Sequence, residues 1–408
     1  MRLAPIFGER AAALHRFSAL SLLLLAMRGA PLGRVRPAEA DELVALAAQH
    51  GLSTVLLSLD VDHQLPAESR ERLKRASIDA ATNHLRTQAD LRRLPALLDP
   101  PAVPWAVVKG PVLAEHWYKQ PGHRSYGDLD LLVDPMGLGA VLSALEDGGC
   151  RLLDTNWTLS RAQRRGELSL LLPHGTVLDL HWSLLNTPRL RNELSLNTAP
   201  LLSRRMAVTI AGVPVPTLDH VDTLVHLATH AMLSGGRQLS WYRDIEAVAG
   251  HHGLDWDELV LRAQASQGGL LTAVALERAA ALTTLHLPPR AVRRLAPHGT
   301  AWRTLLRALD RWRPLGETDV GVFSGQLVAA AGRDTTGASL RSLLGGVRRD
   351  LVSPLLHDPD HPWRARGRTR EVPSNPLWQP AASPDDRGRY LAEVCREASA
   401  TVGRQTRR

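Results

Sequence analysis

Apolar residues recur along this chain with two different periods. From residue 8 to 100 they return every three or four positions, the spacing of one helix face. This predicts a helix ending near Met27, a second from Ala40 to His50, and a longer third from Glu68 to Leu98. Between 101 and 185 the period shortens toward two, the mark of strands. Val103 to Val108 reads as a strand, Asp128 to Val133 as another, and Glu167–Leu172 with Thr176–His181 as a hairpin about the turn Pro173-His174-Gly175. Short helices are predicted from Pro111 to about Tyr118 and over Leu138–Asp147, the latter closed by Gly148-Gly149. Helical spacing returns from Leu218 to Leu285 and again over 300–355. The expected organisation is α+β: an N-terminal helical region (1–100), a core with a small mixed or antiparallel sheet (101–200), and a helical C-terminal domain (201–357). A flexible basic tail (358–408) follows, with a short helix around Tyr390 to Ala398.

The polar residues inside the strand patterns carry the chemistry. In a strand, Asp128 and Asp130 share one face while Leu129, Leu131 and Val133 take the other. Their backbone positions then lie about 7 Å apart. Carboxylates that close repel, and burying them is costly unless a cation compensates. On the returning hairpin strand, Val177, Asp179 and His181 share a face. If that strand lies beside the first, Asp179 becomes a third ligand of a site able to hold two Mg²⁺ ions about 4 Å apart, the arrangement that clamps attacking and leaving oxygens in phosphoryl displacement.

Lys109-Gly110-Pro111 supplies a second element. Pro111 suits a first helical turn, and amide groups at a helix start, beside a Gly and a Lys, form a phosphate cradle. Lysine is scarce here: Lys74, Lys109 and Lys119 are the only three among 49 Lys plus Arg, so a lysine at this corner points to use of its compact charge.

The segments VVKGPVLAEHWY, RSYGDLDLLV and VLDLHW resemble the bacterial uncharacterised nucleotidyltransferase family with an LKG…R…DLDLLV…DLHW pattern. That family lies within the superfamily of DNA polymerase β and the aminoglycoside nucleotidyltransferases. The resemblance runs from about residue 40 to 290 and includes PTLDHVDTLVHLATHAM, LSWYRDIEAV and LDWDELV. It implies a polymerase β-like core in which Asp128, Asp130 and Asp179 bind metal, with Asp179 also the general base. Lys109 and Gly110 would grip the triphosphate, with Arg124 a further nucleotide ligand. The implied reaction is Mg²⁺-dependent transfer of a nucleoside monophosphate from an NTP to an acceptor, a small molecule, peptide or saccharide, with release of pyrophosphate. Pro111 stands where the superfamily has a Ser, which leaves open a non-catalytic nucleotide-binding or regulatory protein on the same fold. A sugar-nucleotide glycosyltransferase using Asp128-Leu129-Asp130 is the third reading, and it gives Lys109 and Asp179 no role.

Composition narrows the setting. A 408-residue chain, 44% hydrophobic and 22% charged, can bury a sizeable core. Cys150 and Cys395 are too few for a disulfide framework, and the run Ala19–Met27 is far short of the roughly 20 residues of a membrane span, so a cytoplasmic protein is expected. The net charge of +8 is concentrated in tail arginines, Arg364 to Arg370 and Arg404 to Arg408, with little aromatic interleaving. Nucleic acid is therefore not an expected partner.

Several further residues have ordinary readings. His226 and His230, four apart, lack the third ligand of a zinc site and read as a satisfied helix pair. Arg243 and Asp244, in the helix after Ser234-Gly235-Gly236, either reach the nucleotide or acceptor or form an ordinary exposed salt bridge, the latter being the default. Arg124 is either a phosphate or carboxylate partner or an ion-pair mate of one of the metal-site aspartates. His181 is placed to orient Asp179 or to touch substrate.

Overall fold

The computed structural model describes residues 19–33, 35–59, 64–297, 303–308, 375–380 and 385–405. Its centre is a seven-stranded mixed sheet in the order β3-β4-β5-β2-β1-β7-β6. The strands are β1 Trp105–Val107, β2 Asp128–Val133, β3 Arg151–Leu152, β4 Glu167–Leu171, β5 Val177–His181, β6 Met206–Ile210 and β7 Val213–Thr217. The predicted hairpin forms as β4 and β5, antiparallel with Ser169 opposite Asp179. β5 then lies parallel to β2 in the register Asp128↔Val177, Asp130↔Asp179 and Leu132↔His181. Strand alternation does the rest. Leu129, Leu131, Val133, Leu168, Leu170, Leu178 and Leu180, all fully buried, face the main core, while Asp128, Asp130, Ser169, Asp179 and His181 fall on the opposite face. A smaller apolar cluster of Ala106, Val108, Leu132, Leu201, Leu202 and Leu218 covers one end of that polar face.

Helices flank the sheet. On the N-terminal side, residues 19–27 are helical and bury Ala19, Leu20, Leu23, Ala26 and Met27. They are followed by α1 Pro37–Gln49, α2 Ser53–Leu59 and α3 Ala67–Leu91. The long third helix expected to reach Leu98 is interrupted after Leu91, because Pro95 has no amide proton to continue the ladder and instead opens a separate turn, Leu94–Leu98. α4, Leu138–Asp147, and α5, Trp157–Gln163, lie in the core region; α5 is capped by the Asn156 side chain accepting from Leu159 N. The C-terminal helices are α6 His220–Leu233, α7 Leu239–Ala249, α8 Trp256–Ala265 and α9 Gly269–Leu282. α6 is buried almost all round, as the central helix of a bundle must be, and its N-terminus is capped by Asp219 accepting from Asp222 N at 2.8 Å.

Two boundaries differ from expectation. Strands β6 and β7 fall after residue 200 and complete the sheet by parallel pairing of β7 with β1 (Val107↔Thr217), so the sheet extends into the region read as helical from 201 onward. Their short, Pro-containing pattern hides them from a periodicity argument. The terminal helix α10 is Asp386–Gln405, longer than expected, because it packs on α5 rather than lying in solvent. Of the helix expected over 300–355, residues 303–308 are described and helical; the rest, and most of 358–389, lie outside the described residues. Cys150 and Cys395 are free thiols, and no helix among the described residues is long and apolar enough to cross a membrane.

Candidate active site

The in-register pair Asp130↔Asp179 sets the geometry. Adjacent strands are about 4.8 Å apart, so these two carboxylates leave the sheet side by side, with Asp128 two residues along the same face. Asp130 is buried, 5% exposed, and its Oδ1 is met from two sides: Lys109 Nζ at 3.1 Å and His181 Nε2 at 3.0 Å. Asp179 Oδ1 accepts from Ser169 Oγ at 2.9 Å, across the β4–β5 pair. His181 Nδ1 lies 3.4 Å from Glu167 Oε2, an ion-pair contact without hydrogen-bond alignment, since that nitrogen has no hydrogen-bond partner.

This crowding sorts the protonation states. Burial pushes the Asp130 carboxyl up, but Lys109 and His181 outweigh it and hold the group well below the usual carboxylate range. Burial likewise opposes the charge on Lys109 and His181, and the surrounding acids overcome it, raising both. Asp179 goes the other way: burial, then repulsion from Asp130, pushes it up to about 7. One carboxylate of the pair is neutralised by its neighbours while the other remains short of positive charge.

Lys109 reaches Asp130 because the chain turns sharply after β1. Gly110 has φ +54°, and a Cβ there would lie 3.2 Å from the Asp128 carbonyl oxygen, so the corner requires glycine. The expected helix after Pro111 forms, but with a wide π turn at Leu113–Trp117. Two amides of the expected cradle are already engaged, Val112 N with Lys109 O and Ala114 N with Gly110 O, each at 3.2 Å.

Arg124 finds its hydrogen-bonded acid outside the three metal-site aspartates, of which Asp128 exerts a weaker pull on it. Its Nε donates to Asp244 Oδ1 at 2.6 Å, and the same oxygen accepts from Tyr118 Oη at 2.7 Å. Asp244 is 1% exposed, so the surface salt-bridge reading of Arg243 and Asp244 is replaced by a buried clamp between the segment preceding β2 and α7. Arg243 instead donates to Met27 O at 3.3 Å. The satisfied-pair reading of the α6 histidines also fails: His226 is 3% exposed and its Nε2 has no hydrogen-bond partner among the described residues.

Two oxygens of one raised and one lowered carboxylate, with Asp128 beside them, form a hard, anionic donor set of the kind that holds Mg²⁺. Among the described residues no three His, Cys, Asp or Glu side chains are gathered closely enough to hold a metal ion as they stand. The Lys109 ammonium takes the compensating place at Asp130. The donors thus fit a divalent cation in kind, and Asp179, left without a cation, is where added positive charge is most wanted.

The sequence profile described as uncharacterised nucleotidyltransferase matches residues 36–284, more than half of the chain. The chain belongs to that family. No curated protein and no solved structure matches it. Within the family span lie the whole sheet, Lys109, the three aspartates and helices α6 to α9, whereas α10 lies beyond it. This later helix still bears on the site: Trp182, next to His181, donates through Nε1 to Tyr390 Oη at 2.9 Å, and Arg191, stacked 4.4 Å over Trp182, binds Glu397. Sequence reasoning missed Glu167, Ser169 and Tyr118, and it took Asp244 for an exposed ion-pair former rather than the buried partner of Arg124. Glu167 and Ser169 were readable from the hairpin, since residues opposite Asp179 and His181 must share their face; Tyr118 had no local signal.

Proposed function

We propose that this family member transfers a nucleoside monophosphate from an NTP to an acceptor hydroxyl, with release of pyrophosphate. The observation that supports this most is the parallel register of β2 and β5, in which Asp179 stands beside Asp130 on the face that Lys109 reaches. Asp128, Asp130 and Asp179 would hold Mg²⁺, which would supply charge neutralisation at the phosphates and lower the acceptor's pKa. Lys109, kept cationic by the acids around it, attracts the triphosphate. The acceptor oxygen bonds to the α-phosphorus as the bond from that phosphorus to the β-bridging oxygen breaks, and Asp179 takes the acceptor proton. Burial and the neighbouring Asp130 push the metal-free Asp179 carboxyl up, and bound Mg²⁺ would return it to the charged form that accepts the proton. His181 and Ser169 fix the two carboxylates in place.

Family membership favours this reading over a sugar-nucleotide glycosyltransferase. Incubation with each of the four labelled NTPs and Mg²⁺ tests it. Binding and label transfer, with Asp130→Asn and Asp179→Asn each reducing turnover at least about a hundredfold, is the expected result for groups acting on the reacting atoms. Failure to bind any NTP refutes the reading. Tight binding without turnover, unchanged by Asp130→Asn, identifies a nucleotide-binding protein instead.

A further inference from the structure

Oδ1 of Asp130 is met by two nitrogens, Lys109 Nζ at 3.1 Å and His181 Nε2 at 3.0 Å, and the two are not equally free to leave. His181 is set in β5 and backed by Glu167, whose Oε2 lies 3.4 Å from its Nδ1. Lys109 is a point charge on a flexible four-carbon stem, and its side chain is 16% exposed where that of Asp130 is 7%. The root of that stem is pinned. Val108 N donates to Asp130 O at 3.1 Å, Val112 N donates to Lys109 O at 3.2 Å, and Gly110 holds the corner in the left-handed region. Nζ can therefore swing off Asp130 while its backbone stays in place. Asp128 and Asp179 are half-buried, so an ion from solvent reaches this face, but the cation on Asp130 repels it. As they stand, the three acids are not gathered closely enough to hold an ion.

We propose that Lys109 is a built-in counter-ion that keeps Asp130 from the divalent cation until a triphosphate draws the lysine off. The phosphates of an NTP carry several negative charges against the single one of a carboxylate, so an ammonium within reach of both moves to the phosphates once they arrive. Asp130, left with His181 alone, then joins Asp128 and Asp179 as an oxygen donor. Metal and nucleotide thus load together, and by linkage each raises the affinity for the other by the same factor. This inference rests on the nucleotidyltransferase reading and adds to it how the metal site is regulated: without nucleotide, Asp130 holds a lysine in preference to an ion.

Titration of the full chain with Mn²⁺ in the absence of nucleotide, followed by the loss of the free ion's EPR signal, tests it; Mn²⁺ takes the same oxygen donors as Mg²⁺. Wild-type protein is expected to bind Mn²⁺ weakly, and Lys109→Met at least about tenfold more tightly, since a unit charge is removed from direct contact with a ligand oxygen. Lys109→Gln should gain likewise, which covers a methionine that disturbs the packing. Lys109→Arg keeps the cation and should stay weak, and Lys119→Met, which removes an exposed lysine, should change nothing. Adding Asp130→Asn to Lys109→Met should cancel the gain. Wild-type affinity for Mn²⁺ in both uncharged variants overturns the inference, as does a gain that survives Asp130→Asn. Separate titrations of wild-type protein with the four NTPs, each with Mg²⁺, read the parent proposal. NTP binding without the Mn²⁺ gain sinks this inference alone; no binding of any NTP sinks it together with the transferase reading.

Discussion

Asp244→Ala is the most informative perturbation of this fold, because Asp244 and Arg124 join the sheet to the C-terminal helices through buried charge. Arg124 is 12% exposed at its side chain and Asp244 1%, with Nε and Oδ1 2.6 Å apart. Removing the carboxylate leaves a guanidinium that cannot deprotonate in a largely dry site, and also strips Tyr118 of its acceptor. Breaking one side of such a pair costs about 3–5 kcal/mol. Replacing both charges, Arg124→Met with Asp244→Leu, removes the stranded charge and should return stability to within about 1–2 kcal/mol of wild type, since buried pairs often exchange for apolar side chains with little loss. Urea unfolding followed by tryptophan fluorescence measures all four corners of the cycle. Additive single effects, or an Asp244→Ala cost below about 1 kcal/mol, would refute the buried-clamp account. A stable Arg124→Met protein with abolished nucleotide binding would restore Arg124 to the ligand role expected from the sequence.

Other outcomes follow from the same contacts. Gly110→Ala should destabilise by about 1–2 kcal/mol from the left-handed backbone alone, read as a lowered Tm, with turnover falling as the Lys109 corner shifts. Leu178→Ala, fully buried on the core face of β5, should cost about 2–5 kcal/mol in denaturant unfolding. Glu397 is buried enough to raise its carboxyl, yet Arg191 and Arg164 hold it below the usual range. Its contribution to docking α10 is therefore complete above the ordinary glutamate value and disappears as pH falls through the lower folded value. Hydrogen exchange over 386–405 should accelerate through that acid window, and Glu397→Gln should remove the step; exchange insensitive to acid in the wild type would contradict it. Tyr390→Phe, losing the bonds to Trp182 and Arg165, should cost about 1–3 kcal/mol and loosen the end of β5, visible as faster exchange at 181–183.

Alternation in Asp128–Val133 and Val177–His181 was enough to assign the three aspartates and His181 to one face and the leucines to the other, since a strand admits only two sides. The turn chemistry of Pro173-His174-Gly175 closed the hairpin, and Gly110 marked the corner after β1. These are local rules, and they held because each acts within a few residues. What lies beside what was decided elsewhere. That β5 joins β2 in parallel with Asp130 opposite Asp179, that Lys109 folds onto Asp130, and that Arg124 meets Asp244 across 120 residues depend on contacts with no sequence period. The weak strands β6 and β7 form only because β1 offers them an edge, and α10 extends because α5 and Trp182 offer it a surface. Local stereochemistry fixes which way a side chain points; burial of charge and apolar area, summed over the whole molecule, fixes what it meets.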